Sequence, residues 1–175
     1  CAAATIHILV QPQLCITPNL KVLLEGPYVD NGSNGATMTT KLNNLGYLPG
    51  QKPTTFFGSP TPAGQPYNGS PWNYNGAEGT LYNYTPGVPA TYKANYPNTI
   101  TDWVLVSLRE STSVTTSICT KAALLHSDGT IEMVSGFDCC DLDLEKTYYV
   151  VIEHRNHMIV MSHVKVAIVN NSITY

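Results

Sequence analysis

The chain has 175 residues, a net charge of −3 and only 12% charged residues. That length suits one domain with a substantial core, and the weak acidic balance excludes the basic surface that nucleic acid or anionic lipid would require. No apolar run reaches the ~18 residues of a membrane span, so a transmembrane segment is not expected, and a surface rich in Asn, Thr, Ser, Gly and Tyr points to an exported or assembled protein.

Residues 4–10 alternate, with Ile6, Ile8 and Val10 on one side and Thr5, His7 and Leu9 on the other, which predicts a strand. Pro12 and Pro18 bracket a break around Cys15, residues 21–24 read as a second strand, and Gly26-Pro27 as a turn. DNGSNG (residues 30–35) is a tight loop, and residues 37–45 fit either a short strand or one helical turn. Residues 46–98 then change character. They hold nine of the 12 prolines and seven of the 11 tyrosines but only three charged residues, Lys52, Glu78 and Lys93. Disordered linkers are poor in aromatics, so this stretch is expected to be an ordered, loop-rich excursion packed on the sheets or on a partner.

From residue 98 the pattern is cleanly β. Residues 101–109 alternate. Residues 117–125 and 130–134 flank Asp128-Gly129, a strong hairpin signal. Residues 147–153, 159–161 and 164–169 complete the set, before a polar end at Asn170-Asn171-Ser172. No ten-residue segment has helical period. The predicted fold is therefore all-β, an antiparallel sandwich of immunoglobulin-like or jelly-roll-like kind. Residues 13–175 form one module with the insert at 46–98, and residues 1–12 form a strand that belongs to a preceding repeat or is donated to a neighbouring subunit.

The five cysteines, Cys1, Cys15, Cys119, Cys139 and Cys140, show no C-x-x-C spacing. In a hairpin centred on Asp128-Gly129, paired positions sum to about 257, which sets Cys119 level with residue 138, beside Cys139 and Cys140. A disulfide across that hairpin would contribute roughly 3 kcal/mol. Cys15 either pairs with Cys1 or takes the second of the adjacent cysteines. EHRNH (residues 153–157), read as a continuous strand, puts His154 and Asn156 on one face and Arg155 and His157 on the other. The imidazoles then point apart, which favours a structural polar cluster over a metal site. DCCDLDLE (residues 138–145) places Asp141, Asp143 and Glu145 on one strand face. With Asp138 these acids are weak ligands for calcium, the one cofactor the chain suggests, although they lack the spacing of a known calcium loop. No other metal site and no catalytic residue is expected. No Gly-x-Ser-x-Gly elbow occurs, and no acid–base pair stands out. Tyr67, Trp72, Tyr74, Tyr82 and Tyr84 form the aromatic region on which a glycan or a surface protein would dock, unless these rings close the core instead.

Several motifs occur in order along residues 20–162: LLEGPY, LGYLPGQKP, QPYNGSPWNYNGAEG, DWVLVSLRE, ALLHSDGTIEMVSG and YYVVIEHRNHMIVMS. This run resembles a β-module found in the C-terminal region of large, adhesin-like surface proteins that Bacteroidota export by the type IX system. The resemblance implies an extracellular, cell-surface setting. It brings no established enzymatic activity, so no catalytic residue is carried over. The cysteines and the longer insert around residues 54–63 depart from the pattern. The expected role is that of a non-enzymatic surface module. It would associate with itself or with neighbouring domains of the same chain, and build a filament by strand exchange through Thr5, Ile6, Ile8 and Val10. The alternative role is adhesion to glycan or protein through the aromatic region.

Overall fold

The computed structural model describes residues 16–32, 35–53, 59–84, 95–135, 137 and 142–175. Among these residues the protein is all-β and mainly antiparallel, with one four-residue helix, α1 (Lys41–Asn44). Its frame is a six-stranded sheet. β4 (Ile100–Arg109) and β5 (Ser117–His126) form the centre; β6 (Ile131–Met133) lies outside β5, and β7 (Thr147–His154) lies on the other flank of β4, followed by β8 (His157–Met161). β9 (Val166–Ala167) also pairs with β7, at its first two residues. β8 and β9 thus continue one line along β7. At the break between them, the Ser162 hydroxyl accepts the Val150 amide at 3.1 Å and donates to the Val164 carbonyl at 2.7 Å. The side chain stands in for a ladder bond that the interrupted strand cannot make.

All ten residues of β4 are buried. A strand buried on both faces must be covered twice. One face carries Val104, Val106 and Leu108 with Ala123, Leu125, Val150 and Ile152. It is covered by Ile16, Leu20, Leu24, Met38 and Ile173. These come from two small ribbons and the segments beside them. β2 (Tyr28–Asp30) pairs with β3 (Ala36–Met38) as a hairpin, while β1 (Thr17–Asn19) runs parallel to the last strand, β10 (Ser172–Thr174).

The second face carries Trp103, Leu105, Ala122 and Leu124, and it is covered by residues of the Pro/Tyr-rich stretch: Leu48, Tyr67 and Tyr96, with Trp72, Tyr74 and Tyr82 packed around them. Trp103 is the hub. Its indole N–H donates to the Tyr96 hydroxyl at 2.9 Å, which donates to the Pro49 carbonyl at 2.8 Å. The Tyr67 hydroxyl donates to the Trp103 carbonyl at 2.7 Å. Tyr82 stacks on Tyr96 with ring centroids 4.3 Å apart. Burial holds the Tyr67 and Tyr96 phenols far above their ordinary range, so both remain hydrogen-bond donors. Two buried amides secure the loop itself. The Gln51 side chain donates to Asn43, which donates to the Pro97 carbonyl, and Gln65 donates to the Tyr74 and Gly76 carbonyls.

Two sequence expectations need correction and one open reading is resolved. Residues 21–24 are not a strand; Lys21 makes a single bridge to Thr130, and the regular pairing lies earlier, in β1. The ambiguous stretch after residue 36 is strand β3 followed by helix α1. The polar end at residues 170–172 is a turn into β10, with Asn170 and Asn171 at φ of 50° and 57°, a region that asparagine tolerates better than most residues. The expected strand at residues 4–10 lies outside the described residues.

The close fit under Trp103 gives a direct test. Gly79 sits at φ +77°, and a Cβ there would meet the Trp103 ring at 2.3 Å. Gly79→Ala is expected to destabilise the fold by about 1–3 kcal/mol, measured by urea unfolding. A change of near zero would mean that the aromatic layer is not packed on the sheet as described.

Candidate functional site

The densest polar cluster is built where β4 begins and where β7 turns back into β8. Between Ile100 and Asp102 the β4–β5 register shifts, and this irregularity accompanies a buried carboxylate at Asp102. Asp102 accepts from the His154 Nε2–H at 3.0 Å, from the Arg155 guanidinium at 2.7 and 3.0 Å, and from the Trp103 amide at 2.8 Å. Burial alone would raise its pKa. The hydrogen bond from His154, the charge of Arg155 and the Trp103 amide outweigh burial and hold the carboxyl below its ordinary 3.8.

The EHRNH segment is not one continuous strand. Arg155 and Asn156 form a two-residue turn, and His154 pairs across it with His157. The imidazoles therefore face each other, with ring centroids 4.7 Å apart and Nδ1 atoms 2.8 Å apart. This overturns the expectation that they point apart. A period-two reading assumes that the strand does not turn, and Arg-Asn carries none of the Gly signals that mark a short hairpin.

The tautomers follow from the donors. The Gly26 amide donates to His157 Nε2 at 3.2 Å, so that nitrogen carries no proton and His157 Nδ1–H donates to His154 Nδ1. The Asn156 amide also donates to His154 Nδ1, and His154 Nε2–H donates to Asp102. All four ring nitrogens are engaged in a chain from a buried carboxylate to a loop on the opposite layer. A base needs a nitrogen open to the proton it removes, and here neither ring presents one.

The remaining predicted residues scatter. Tyr67 is fully buried; Tyr74 donates to Glu78, whose carboxylate also accepts the Ala122 amide of β5; Tyr82 lies under Tyr96; and Tyr84 has Lys52 over its ring. These rings do not form one exposed platform. Most of them close the second face of the sheet. Trp72 alone combines an edge-to-face contact on Tyr67 with a place in the wall of a cleft of about 650 Å³. Asp143 lies at a turn, where it accepts the Glu145 amide, so Asp143 and Glu145 do not share the expected strand face. Asp138 and Asp141 lie outside the described residues. Among the described residues no three His, Cys, Asp or Glu side chains gather as a metal site. Cys119 is buried on β5 opposite Leu108, and Cys1, Cys15, Cys139 and Cys140 lie outside the described residues. The β5–β6 register sums to 256, one less than expected.

Sequence reasoning missed Ser107, Arg109 and Glu153, which line the same cleft. A signal was present: along alternate residues of β4, the apolar Trp103 and Leu105 give way to Ser107 and Arg109. Comparison of the chain with family models, curated proteins and solved structures finds no match. The functional reading therefore rests on the residues.

Two outcomes test the polar cluster. Burial, with neighbouring His154, holds the His157 imidazole below its ordinary 6.5, against the opposing pull of Asp102 and Glu25. The unfolded chain thus takes up a proton near 6.5 that the folded chain refuses, and stability falls as pH drops below about 6.5. Asp102 contributes stability above 3.8 that is lost at still lower pH. Thermal melts across pH should show the upper step in the natural chain and lose it in His157→Gln. An unchanged profile would refute the proposed tautomers. Asp102→Asn leaves the Arg155 charge without its partner and should cost about 3–5 kcal/mol; a cost below about 1 kcal/mol would show that the network is not a buried ion pair.

Proposed function

We propose that the chain is a non-enzymatic extracellular surface module that self-associates by adding a strand to the free edge of β8. The observation that carries this reading is β8 itself. It is paired on one side only, as the sheet's outer strand, and its apolar residues face solvent. Met158 is 89% exposed, and Ile159, Val160 and Met161 are all exposed. Folded proteins guard such edges with charge, proline or a covering segment; among the described residues nothing covers this one. The occupant proposed is residues 5–10 of a second copy, whose alternation of Ile6, Ile8 and Val10 against Thr5, His7 and Leu9 supplies the backbone and side chains of an added strand. Repeated head to tail, that contact builds a filament.

Other features support the extracellular, non-enzymatic part of the proposal. A disulfide from Cys119 to Cys139 or Cys140 is part of this proposal; stable disulfides belong to oxidising compartments. The low charge and the motif resemblance point the same way. The His154–His157 pair has no free nitrogen for general-base work.

Val160→Lys places a charge on the exposed edge without touching the core. The natural chain is expected to sediment as multimers and the variant as monomers with the same melting temperature. A natural chain that stays monomeric at high micromolar concentration would refute assembly through β8.

A further inference from the structure

We infer that the cleft between Trp72 and β8 is a binding site for a neutral saccharide, gripped by Ser107, Arg109 and Glu153. This site adjoins the assembly edge, sharing Ile159 with it, and goes beyond the proposed function.

The argument begins with what the second face of the sheet leaves uncovered. The aromatic layer lies over Trp103, Leu105, Ala122 and Leu124. Further along β4 the same face carries Ser107 and Arg109, opposite Thr120 and Ser117 of β5. The cleft of about 650 Å³ opens over this polar half, a size within the range of small-ligand sites.

Its floor contains more hydrogen-bonding capacity than the protein uses. Ser107 is 1% exposed and Arg109 5% exposed, yet the Ser107 hydroxyl and the Arg109 Nε have no partner. Buried polar atoms are almost always satisfied, and leaving one unmade costs about 1–3 kcal/mol. Two side by side, both lining a cleft, mark the place where an incoming group supplies the missing bonds.

Charge then selects the ligand class. Arg109 is paired with Glu153 at 2.6 Å, both side chains almost buried. An anion entering to reach the guanidinium would meet the Glu153 carboxylate, and a cation would meet Arg109. A neutral polyol fits, because each hydroxyl both donates and accepts and so can bond a carboxylate and a guanidinium at once. The walls suit the rest of a sugar. The Trp72 ring, held edge-on by Tyr67, and Ile159 offer apolar surface for the C–H face of a pyranose.

The test uses the full chain carrying Val160→Lys, so that binding is read without assembly and failure of one proposal does not mask the other. The probes are methyl pyranosides of glucose, galactose, mannose and N-acetylglucosamine, with acetate and inorganic phosphate as anionic controls, followed by saturation-transfer NMR and tryptophan fluorescence. The expected result is saturable binding of at least one pyranoside and of neither anion. Trp72→Ala should weaken binding tenfold or more. Ser107→Ala should weaken it at least fivefold while leaving the melting temperature unchanged or raised, since a hydroxyl without a partner is removed. That pairing of lost binding with retained stability is what a merely structural serine would not give. Three results would overturn the inference: no pyranoside binds, an anion binds instead, or binding survives both substitutions.

Discussion

The structure turns on a strand that is buried on both faces. β4 has no residue open to solvent, and a polypeptide of this length has only two ways to cover such a strand: more regular structure or well-packed irregular chain. It uses one on each side. Short ribbons close the first face. On the second, a loop rich in proline and tyrosine does the work of a sheet. Irregular chain has no ladder, so its backbone groups must be satisfied one at a time. That is why the layer contains so many side chain-to-carbonyl bonds, from Tyr67, Tyr96, Gln65 and Asn43. The prolines reduce the number of groups needing a partner, and the tyrosines bring both apolar area and a hydroxyl that reaches a carbonyl. The composition of the insert follows from the covering task it performs.

The same constraint explains the Asp102 cluster. Where β4 enters the molecule, its backbone shifts register and a carboxylate is carried inside. A charge in that position persists only if it is surrounded by donors. His154 and Arg155 provide them from β7 and its turn, and His157 extends the chain of bonds to the Gly26 amide on the opposite layer. The space there is closely matched: a Cβ on Gly26 would lie 2.5 Å from His157 Nε2. An Asp–His–His series suggests catalysis at first sight. Its hydrogen bonds join three parts of the fold, and every ring nitrogen has a partner.

How much of this was legible in the sequence depended on the range of the interaction. Alternation marked β4, β5 and β7 and the Asp128-Gly129 hairpin, because strand period and turn chemistry are local. The aromatic content of residues 46–98 likewise argued for an ordered, packed insert. What periodicity could not give was the pairing of β1 with β10, whose partners lie more than 150 residues apart in the chain, or the turn at Arg155-Asn156, which lacks the usual glycine. Treating EHRNH as straight separated two imidazoles that are in contact. The aromatic candidates were chosen by residue type, and type does not distinguish a ring that packs on a core from one that awaits a ligand. Tyr67 and Trp72 are five residues apart, and only their positions over the sheet assign the first to the core and the second to a cleft wall.

The last step concerns where β4 changes chemistry. A strand buried along its whole length has no packing reason to place Ser107 and Arg109 beside Trp103 and Leu105 on one face. Apolar residues there would let the aromatic layer extend across the whole sheet, and replacing a buried ion pair by apolar side chains is often neutral or stabilising. Ser107 and Arg109 instead keep unpartnered donors, with Glu153 fixed opposite the guanidinium. An arrangement that forgoes stability in the fold is expected where a site must contact something else. The exposed apolar edge of β8 borders the same cleft through Ile159.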